Sequence, residues 1–376
     1  MKDKKFFFAI SILLGTIVGA GIFGIPHVIA RSGIIPGFFY LLILGGAVLL
    51  IHLFFGEIVL RTKEKHRLVG YAQKYLGNWG RILITISTIL GLTGALLAYI
   101  ILSGDFLKII FSFLNLPSFY FSLMFWAILS YFIFRGIKLI APAELFMNIA
   151  FFFIIFLIFC FALPKLNLQN FTLINFEHIF LPYGVILFSL VGWMAVPIIS
   201  ETFKSLEARK NLKKVIILAI SIVIFLYFLF ALAVIGVSGK NTTPEAFQGL
   251  LPYLGQKIII FGALFGIFAI VTSFLILGNY FKNTLFYDYK IPRRISASIA
   301  CGLPFILFLI GFREFIEVIG FVGTIIGVIE GGTIILIFKK AKFLGNRCPE
   351  YSLKIPSILL YFLIAIFILG AVSQVF

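Results

Sequence analysis

Gly15-Thr16-Ile17-Val18-Gly19-Ala20-Gly21-Ile22-Phe23-Gly24-Ile25-Pro26 places four glycines and a proline inside an apolar stretch of membrane-spanning length. In a helix interior each glycine costs about 1 kcal/mol and a proline about 3 kcal/mol. Grouped at bilayer depth, they predict a helix that breaks partway across. In lipid, irregular backbone persists only where it faces protein or a water-filled cavity. The amides and carbonyls freed there make a site for a small charged solute and its ion. This stretch points to solute transport.

The rest of the chain supplies the membrane context. Of its 376 residues 62% are hydrophobic and only 12% charged, and the mean hydropathy is +1.15. That composition predicts an all-α polytopic membrane protein. Phe alone contributes 48 residues, read as lipid-facing surface. Cys160, Cys301 and Cys348 stand singly, in no metal, redox or disulfide spacing. Met1-Lys2-Asp3-Lys4-Lys5 and the apolar run behind it resemble the first two regions of a signal peptide. The glycines, and the lack of an Ala-x-Ala site, predict retention as a first span.

Eleven hydrophobic spans are expected, at about 6–30, 34–59, 80–113, 118–136, 142–163, 179–200, 212–237, 257–284, 293–311, 314–338 and 355–375. The third and eighth exceed one crossing, so tilt or projection is expected. With the N-terminus cytoplasmic, 25 of the 31 Lys and Arg residues fall on inner segments. The exceptions are Arg31, Lys108, Lys165, Lys240, Lys257 and Arg313. Topology thus accounts for the formal charge of +17 without nucleic acid. The expected location is the cell membrane; the sequence sets no oligomeric state. Thr242-Thr243-Pro244-Glu245, with a hydroxyl cap followed by proline and an acid, predicts a short helix outside the membrane. It reads as a lid or as a connection.

A second interruption lies in span six, at Phe188-Ser189-Leu190-Val191-Gly192-Trp193-Met194-Ala195-Val196-Pro197. Interruptions in the first span of each of two halves mark inverted-repeat transporters with a midplane site. The single domain, 1–376, then divides into one repeat over about 6–163, a second over about 179–338, and an extra helix over about 355–375. Five crossings per repeat force the second to run inverted.

At the first break, amides of Gly19, Ala20 and Gly21 suit a carboxylate, and carbonyls of Gly15, Ile17 and Val18 suit a cation. Gly15 and Gly19 also have the spacing of close helix packing. In span eight Ala269, Thr272 and Ser273 share a face and offer oxygen ligands for a hard cation; the two hydroxyls also suit bonds back to the preceding turn. Tyr99, midway along span three, offers a phenol to a bound carboxylate. Phe188, Ser189 and Trp193 flank the second break as pocket wall, gate or core.

Acids at membrane depth are functional candidates. Glu57, Glu144 and Glu330 lie toward inner ends and read as inner-gate or anchoring charges, with Arg61, Arg135 and Lys138 as available partners. Asp105 reads as a proton site or an outer-gate partner. His27 and His52 read as structural.

Residues 15–26, Leu76-Gly77-Asn78-Trp79-Gly80, Ser103-Gly104-Asp105 and Thr272-Ser273-Phe274-Leu275 resemble the amino acid/auxin permease family of the amino acid–polyamine–organocation superfamily, including its bacterial aromatic permease branch. The resemblance covers nearly the whole chain. It implies a leucine-transporter-like fold, with five-plus-five inverted repeats, discontinuous helices 1 and 6 and eleven transmembrane helices. It also implies cation-coupled amino acid transport by alternating access. Residues 15–21 are similar to the first-span motif of sodium-coupled neurotransmitter symporters. There the matching positions bind substrate carboxylate and the second sodium ion, and Ala269, Thr272 and Ser273 match that ion's eighth-span ligands. The lysine that replaces this sodium in some proton-coupled relatives has no counterpart between 142 and 163.

The expectation is a symporter that imports a neutral, hydrophobic or aromatic L-amino acid. The substrate contacts Ile17, Gly19, Ala20, Gly21, Tyr99, Phe188, Ser189, Gly192 and Trp193. The cation, Na+ in preference to H+, sits on Gly15, Val18, Ala269, Thr272 and Ser273, and no resident cofactor is expected. A membrane amino acid sensor is the competing class. An intramembrane enzyme would need convergent acids, histidines or metal ligands, which no recognisable spacing supplies.

Overall fold

The computed structural model describes residues 2–136, 141–203, 206–287 and 289–374, and every element among them is helical. The chain begins with α1 (Lys2–Ile17) and α2 (Gly21–Ser32), bent by 57° across a three-residue break. Then come α3 (Ile34–Arg61), α4 (Leu68–Leu76), α5 (Asn78–Ile110), α6 (Ser118–Arg135) and α7 (Ala141–Ala162). A second interruption separates α8 (Pro182–Leu190) from α9 (Ala195–Thr202). The remainder comprises α10 (Leu206–Ser238), α11 (Leu251–Leu254), α12 (Gln256–Tyr287), α13 (Arg293–Leu309), α14 (Phe315–Ile326), α15 (Gly332–Leu344) and α16 (Ser357–Val372).

Both predicted breaks are present. Among the described residues, seven spans are long and apolar enough to cross a membrane, and the bent α1–α2 pair makes eight. The other three expected spans fall on α7, α13 and α16. Of these, α13 has 17 residues and α16 has 16, and α13 opens with Arg293 and Arg294. At 1.5 Å per residue, α5, α10 and α12 run to roughly 50 Å, well beyond about 30 Å of hydrocarbon. Projection of spans three and eight was expected; that of span seven was not.

Three local features depart from expectation. The segment 242–251 does not open as a helix at Thr242: Glu245 instead accepts from the Thr243 hydroxyl (2.7 Å) and the Gln248 amide (3.0 Å), and only Gln248–Leu250 and α11 coil. Second, α4 is an unforeseen amphipathic helix. It buries Leu68, Tyr71, Ala72, Tyr75 and Leu76, the i, i+3, i+4, i+7, i+8 pattern of a helix lying on a core. Gly77, at φ 78°, turns the chain from α4 into α5 in a conformation that costs glycine little. Third, the tenth span contains a π-helical segment, Gly327–Gly331, between α14 and α15.

The two ends of the bundle differ in character. At one, here the basic end, the loop after α15 fastens onto α3. Buried Glu57 accepts from Arg61 Nε (2.8 Å), Ser352 Oγ (3.1 Å) and the Leu353 amide (2.6 Å), and Tyr351 donates to the Leu53 carbonyl (2.7 Å). The expected partner of Glu57, Arg61, is thus the observed one. The side chains of Glu144 and Lys138 lie outside the described residues. At the opposite end, segment 163–181 pairs with the α2–α3 joint through Ile34 N to Thr172 O (2.9 Å) and Asn175 N to Ser32 O (2.7 Å). There His27 joins α2 to the Thr242 carbonyl through Nδ1 (2.8 Å).

Candidate functional site

The two breaks meet at the centre of the bundle, and each is packed by the other. A Cβ on Gly21 would lie 2.3 Å from Ser189 Oγ and 2.7 Å from Ser189 Cα; one on Gly192 would lie 2.3 Å from Ile17 Cγ1. Small residues at 21 and 192 are therefore what allow the broken ends to touch. The α8–α14 contact is as close: a Cβ on Gly184 would fall 2.1 Å from the Gly320 carbonyl oxygen.

A single phenol ties the two ends. Tyr227 of α10, fully buried, points its hydroxyl at the Ser189 carbonyl (2.8 Å) and the Ile17 carbonyl (3.2 Å). These belong to the last turns of α8 and α1, where carbonyls lack helical partners. Sequence reading missed Tyr227, because a tyrosine in the run Leu226-Tyr227-Phe228 looks like any aromatic of an apolar span.

Beside the breaks lies a cavity with about 110 Å³ of space open to a water-sized sphere. Of the expected substrate residues, Ile17, Gly19, Ala20, Gly21, Tyr99, Phe188, Ser189 and Trp193 line it; Gly192 instead packs on Ile17. The start of α2 has no side-chain cap, and although the Phe23 amide turns back on the Ala20 carbonyl (3.2 Å), the amides before it are available to an anion. Tyr99 is held against them: its hydroxyl meets the Ala20 backbone and the Ser273 side chain, and would be 3.0 Å from a Cβ on Gly19. Leu92, Ala95 and Ile326 add apolar wall, and Thr88, Tyr280 and Glu330 add polar groups.

The expected cation ligands Gly15, Val18, Ala269, Thr272 and Ser273 do not line this cavity. The Thr272 hydroxyl donates back to the Ala269 carbonyl (2.9 Å), and the Ser273 side chain meets Tyr99. Among the described residues no three His, Cys, Asp or Glu side chains gather as metal ligands.

The cavity runs toward the basic end. There exposed Arg67 and the first turn of α4 at Leu68 border it, with Arg67 paired to Glu201 (3.2 Å). Toward the other end the path is filled by aromatic rings. Phe23 packs edge-on against Phe106 (4.9 Å) and Phe247 (5.4 Å), and Phe106 lies 5.3 Å from Phe247. All three are buried, and Phe247 comes from the segment read from sequence as a lid or a connection. Asp105, next to Phe106, meets the Ser118 side chain.

Glu330, read from sequence as an inner-gate or anchoring charge, has neither Arg135 nor another cation beside it among the described residues. It sits in the π segment, buried, and accepts from Trp193 Nε1 (2.6 Å) and Ser87 Oγ (3.3 Å). Trp193 also carries the His52 ring at 5.6 Å, and His52 Nδ1 is bonded to the Val48 carbonyl (2.8 Å).

The chain is similar along most of its length to known transport proteins. The chain is 24% identical over 338 residues to glutamine transporter 2 of Aliivibrio fischeri, covering 86% of this chain and 85% of that protein. It is 26% identical over 353 residues to tyrosine-specific transport system 2 of Haemophilus influenzae, covering 86% and 84%. The model of one permease family matches residues 2–374. By that near-complete match, the chain belongs to the tryptophan/tyrosine permease family.

Proposed function

We propose that this permease is a secondary active transporter that imports a neutral, hydrophobic or aromatic L-amino acid with a coupled cation, by alternating access. The observation that carries the proposal is the cavity at the junction of two broken helices, with the uncapped α2 N-terminus on one side and apolar wall on the other. A substrate carboxylate would rest on the amides of Gly19, Ala20 and Gly21, with Tyr99 beside it. Ile17, Phe188, Ser189, Gly192 and Trp193 would shape the side-chain pocket. Relatives named for tyrosine and glutamine support a neutral amino acid, and the aromatic and aliphatic lining supports the hydrophobic end of that class.

The leucine-transporter-like architecture belongs to the same reading: eleven crossings, repeats over 6–163 and 179–338, and an added helix at 355–375. Its support is the paired interruption, α1–α2 and α8–α9, each packed by the other. The excess of Lys and Arg at the basic end supports a cytoplasmic assignment for that end and for the N-terminus. The sequence pattern supports sodium at Gly15, Val18, Ala269, Thr272 and Ser273; a proton is the second candidate, because a buried carboxyl lines the cavity.

The test is uptake of each of the twenty radiolabelled L-amino acids into proteoliposomes, under a sodium gradient, a pH gradient, both or neither. Gradient-driven accumulation of one or more neutral amino acids is expected. Saturable binding with no accumulation under any gradient would overturn transport in favour of a sensor.

A further inference from the structure

Of the acids buried within the helices, Glu57 and Glu330 differ in what balances their charge. Glu57 is also enclosed, but Arg61 neutralises it and a backbone amide completes its shell. Among the described residues no cation pairs with Glu330. Its donors are all neutral: Trp193 Nε1 on Oε2, Ser87 Oγ on Oε1, and the side chain of Thr88.

The charged and titratable groups on the packed elements stand at a distance along their helices. On α5, Arg81 is six residues before Ser87, about 9 Å along the axis, and Tyr99, Asp105 and Lys108 lie beyond Ser87 on the other side. On α14, Glu317 precedes Glu330 by about 20 Å; on α15, Lys339, Lys340 and Lys342 follow by about 13 Å or more. The one titratable group on α16 is Tyr361. Behind Trp193 stands the His52 ring, and at the cavity mouth the Arg67 guanidinium is paired with Glu201.

An uncompensated carboxylate at this depth is costly, and the usual relief is a proton. The surrounding groups accommodate both forms. Trp193 donates to Oε2 whether the acid is charged or neutral. The Ser87 and Thr88 hydroxyls can donate to a carboxylate, or rotate and accept from a carboxylic acid. Glu330 also borders the cavity, so water can deliver or remove a proton without passing through packed protein. Its place in a π segment is where helices commonly carry function.

We propose that Glu330 is the proton-binding residue of the transport cycle and that Trp193 reads its charge. Trp193 lies in the unwound link between α8 and α9, so its bond to Glu330 fixes the geometry of the second break. A bond to a charged acceptor is roughly twice as strong as a neutral one. Uptake of a proton by the carboxylate therefore loosens Trp193, and release of that proton to cavity water tightens it again. No covalent bond other than O–H forms or breaks. The proposal rests on the transport reading above and takes the second of its two cation candidates, the proton, over sodium.

The test uses the full chain in proteoliposomes with whichever amino acid the wild type accumulates or exchanges. Its readout is the ratio of accumulation with and without a pH gradient of one unit. For one proton per substrate the wild-type ratio approaches tenfold. Glu330→Gln keeps the shape and the Trp193 bond but cannot titrate, so its ratio should fall to one; Glu330→Asp, still an acid, should retain a ratio well above one. A residue that only braces Trp193 would leave the Gln ratio at the wild-type value, and that result overturns the proposal. Should Gln misfold, proton uptake on substrate addition to the wild type and Asp variant, followed by a pH dye in weak buffer, decides the matter; no uptake overturns it. A wild type driven by sodium and indifferent to pH would refute Glu330 while leaving transport intact. A wild type that neither accumulates nor exchanges any of the twenty amino acids would refute both.

Discussion

Tyr227 shows how much one hydroxyl can hold. Its oxygen serves the Ile17 and Ser189 carbonyls in the last turns of α1 and α8, for which no other donor stands among the described residues. Leaving a buried acceptor unsatisfied costs about 1–3 kcal/mol. Tyr227→Phe should therefore destabilise the protein by about that amount, read as a lower thermal midpoint in detergent, and weaken uptake beyond what reduced expression explains. An unchanged midpoint would show that water or a neighbour replaces the phenol. Gly19, Ala20 and Gly21 could be found from sequence, because glycine clustered at bilayer depth has a backbone cost that demands a reason. Tyr227 could not, because a phenol in an apolar run carries no local sign of its partners. Glu330 was visible as an acid, but the sequence placed it near cationic loops, whereas the fold turns it inward to Trp193.

Among the elements, the breaks were legible and the fastenings were not. Glycine and proline mark where a helix stops, while α4 and the straps at the basic end depend on which loops come to lie side by side. Glu64, in the α3–α4 link, pairs with Lys74 and accepts from Asn346 Nδ2 (3.0 Å), joining two loops distant in sequence. Lys74 in the first place, helped by its own backbone and Asn346, pulls the Glu64 carboxyl down from 4.5 to about 2. A depressed carboxylate contributes fully above its unfolded value, and that contribution is lost as pH falls through the folded one. The junction should thus persist at pH 5 and come apart between about 4.5 and 2. A carboxyl carbon NMR titration should place the Glu64 midpoint near 2, and Lys74→Met should return it toward 4.5. A midpoint near 4.5 in the unmodified protein would mean the pair does not form.

At the scale of the whole molecule, the bundle is asymmetric along its axis. Phe23, Phe106 and Phe247 fill one side of the breaks, and the cavity extends from the other side to Arg67. A cysteine at Thr88, in a chain with Cys160, Cys301 and Cys348 replaced by serine, should react with a membrane-impermeant maleimide from the basic end. From the opposite face it should be several-fold slower, and Phe247→Ala should narrow that difference. Equal rates from both faces would contradict the aromatic closure. The charge asymmetry was plain in the sequence; the closure was not, because three phenylalanines from α2, α5 and the loop after α10 look the same as the many that cover the exterior.

The reciprocal seating of Gly21 on Ser189 and Gly192 on Ile17 bears on how such a molecule can diverge. Neither kink has space of its own, since each is the mould in which the other is cast. Added bulk at 192 meets only the side chains of Ile17 and His52 and can be matched by a smaller residue at 17, whereas at 21 it meets the Ser189 Cα itself, so a lineage can trade volume at the second kink but not at the first.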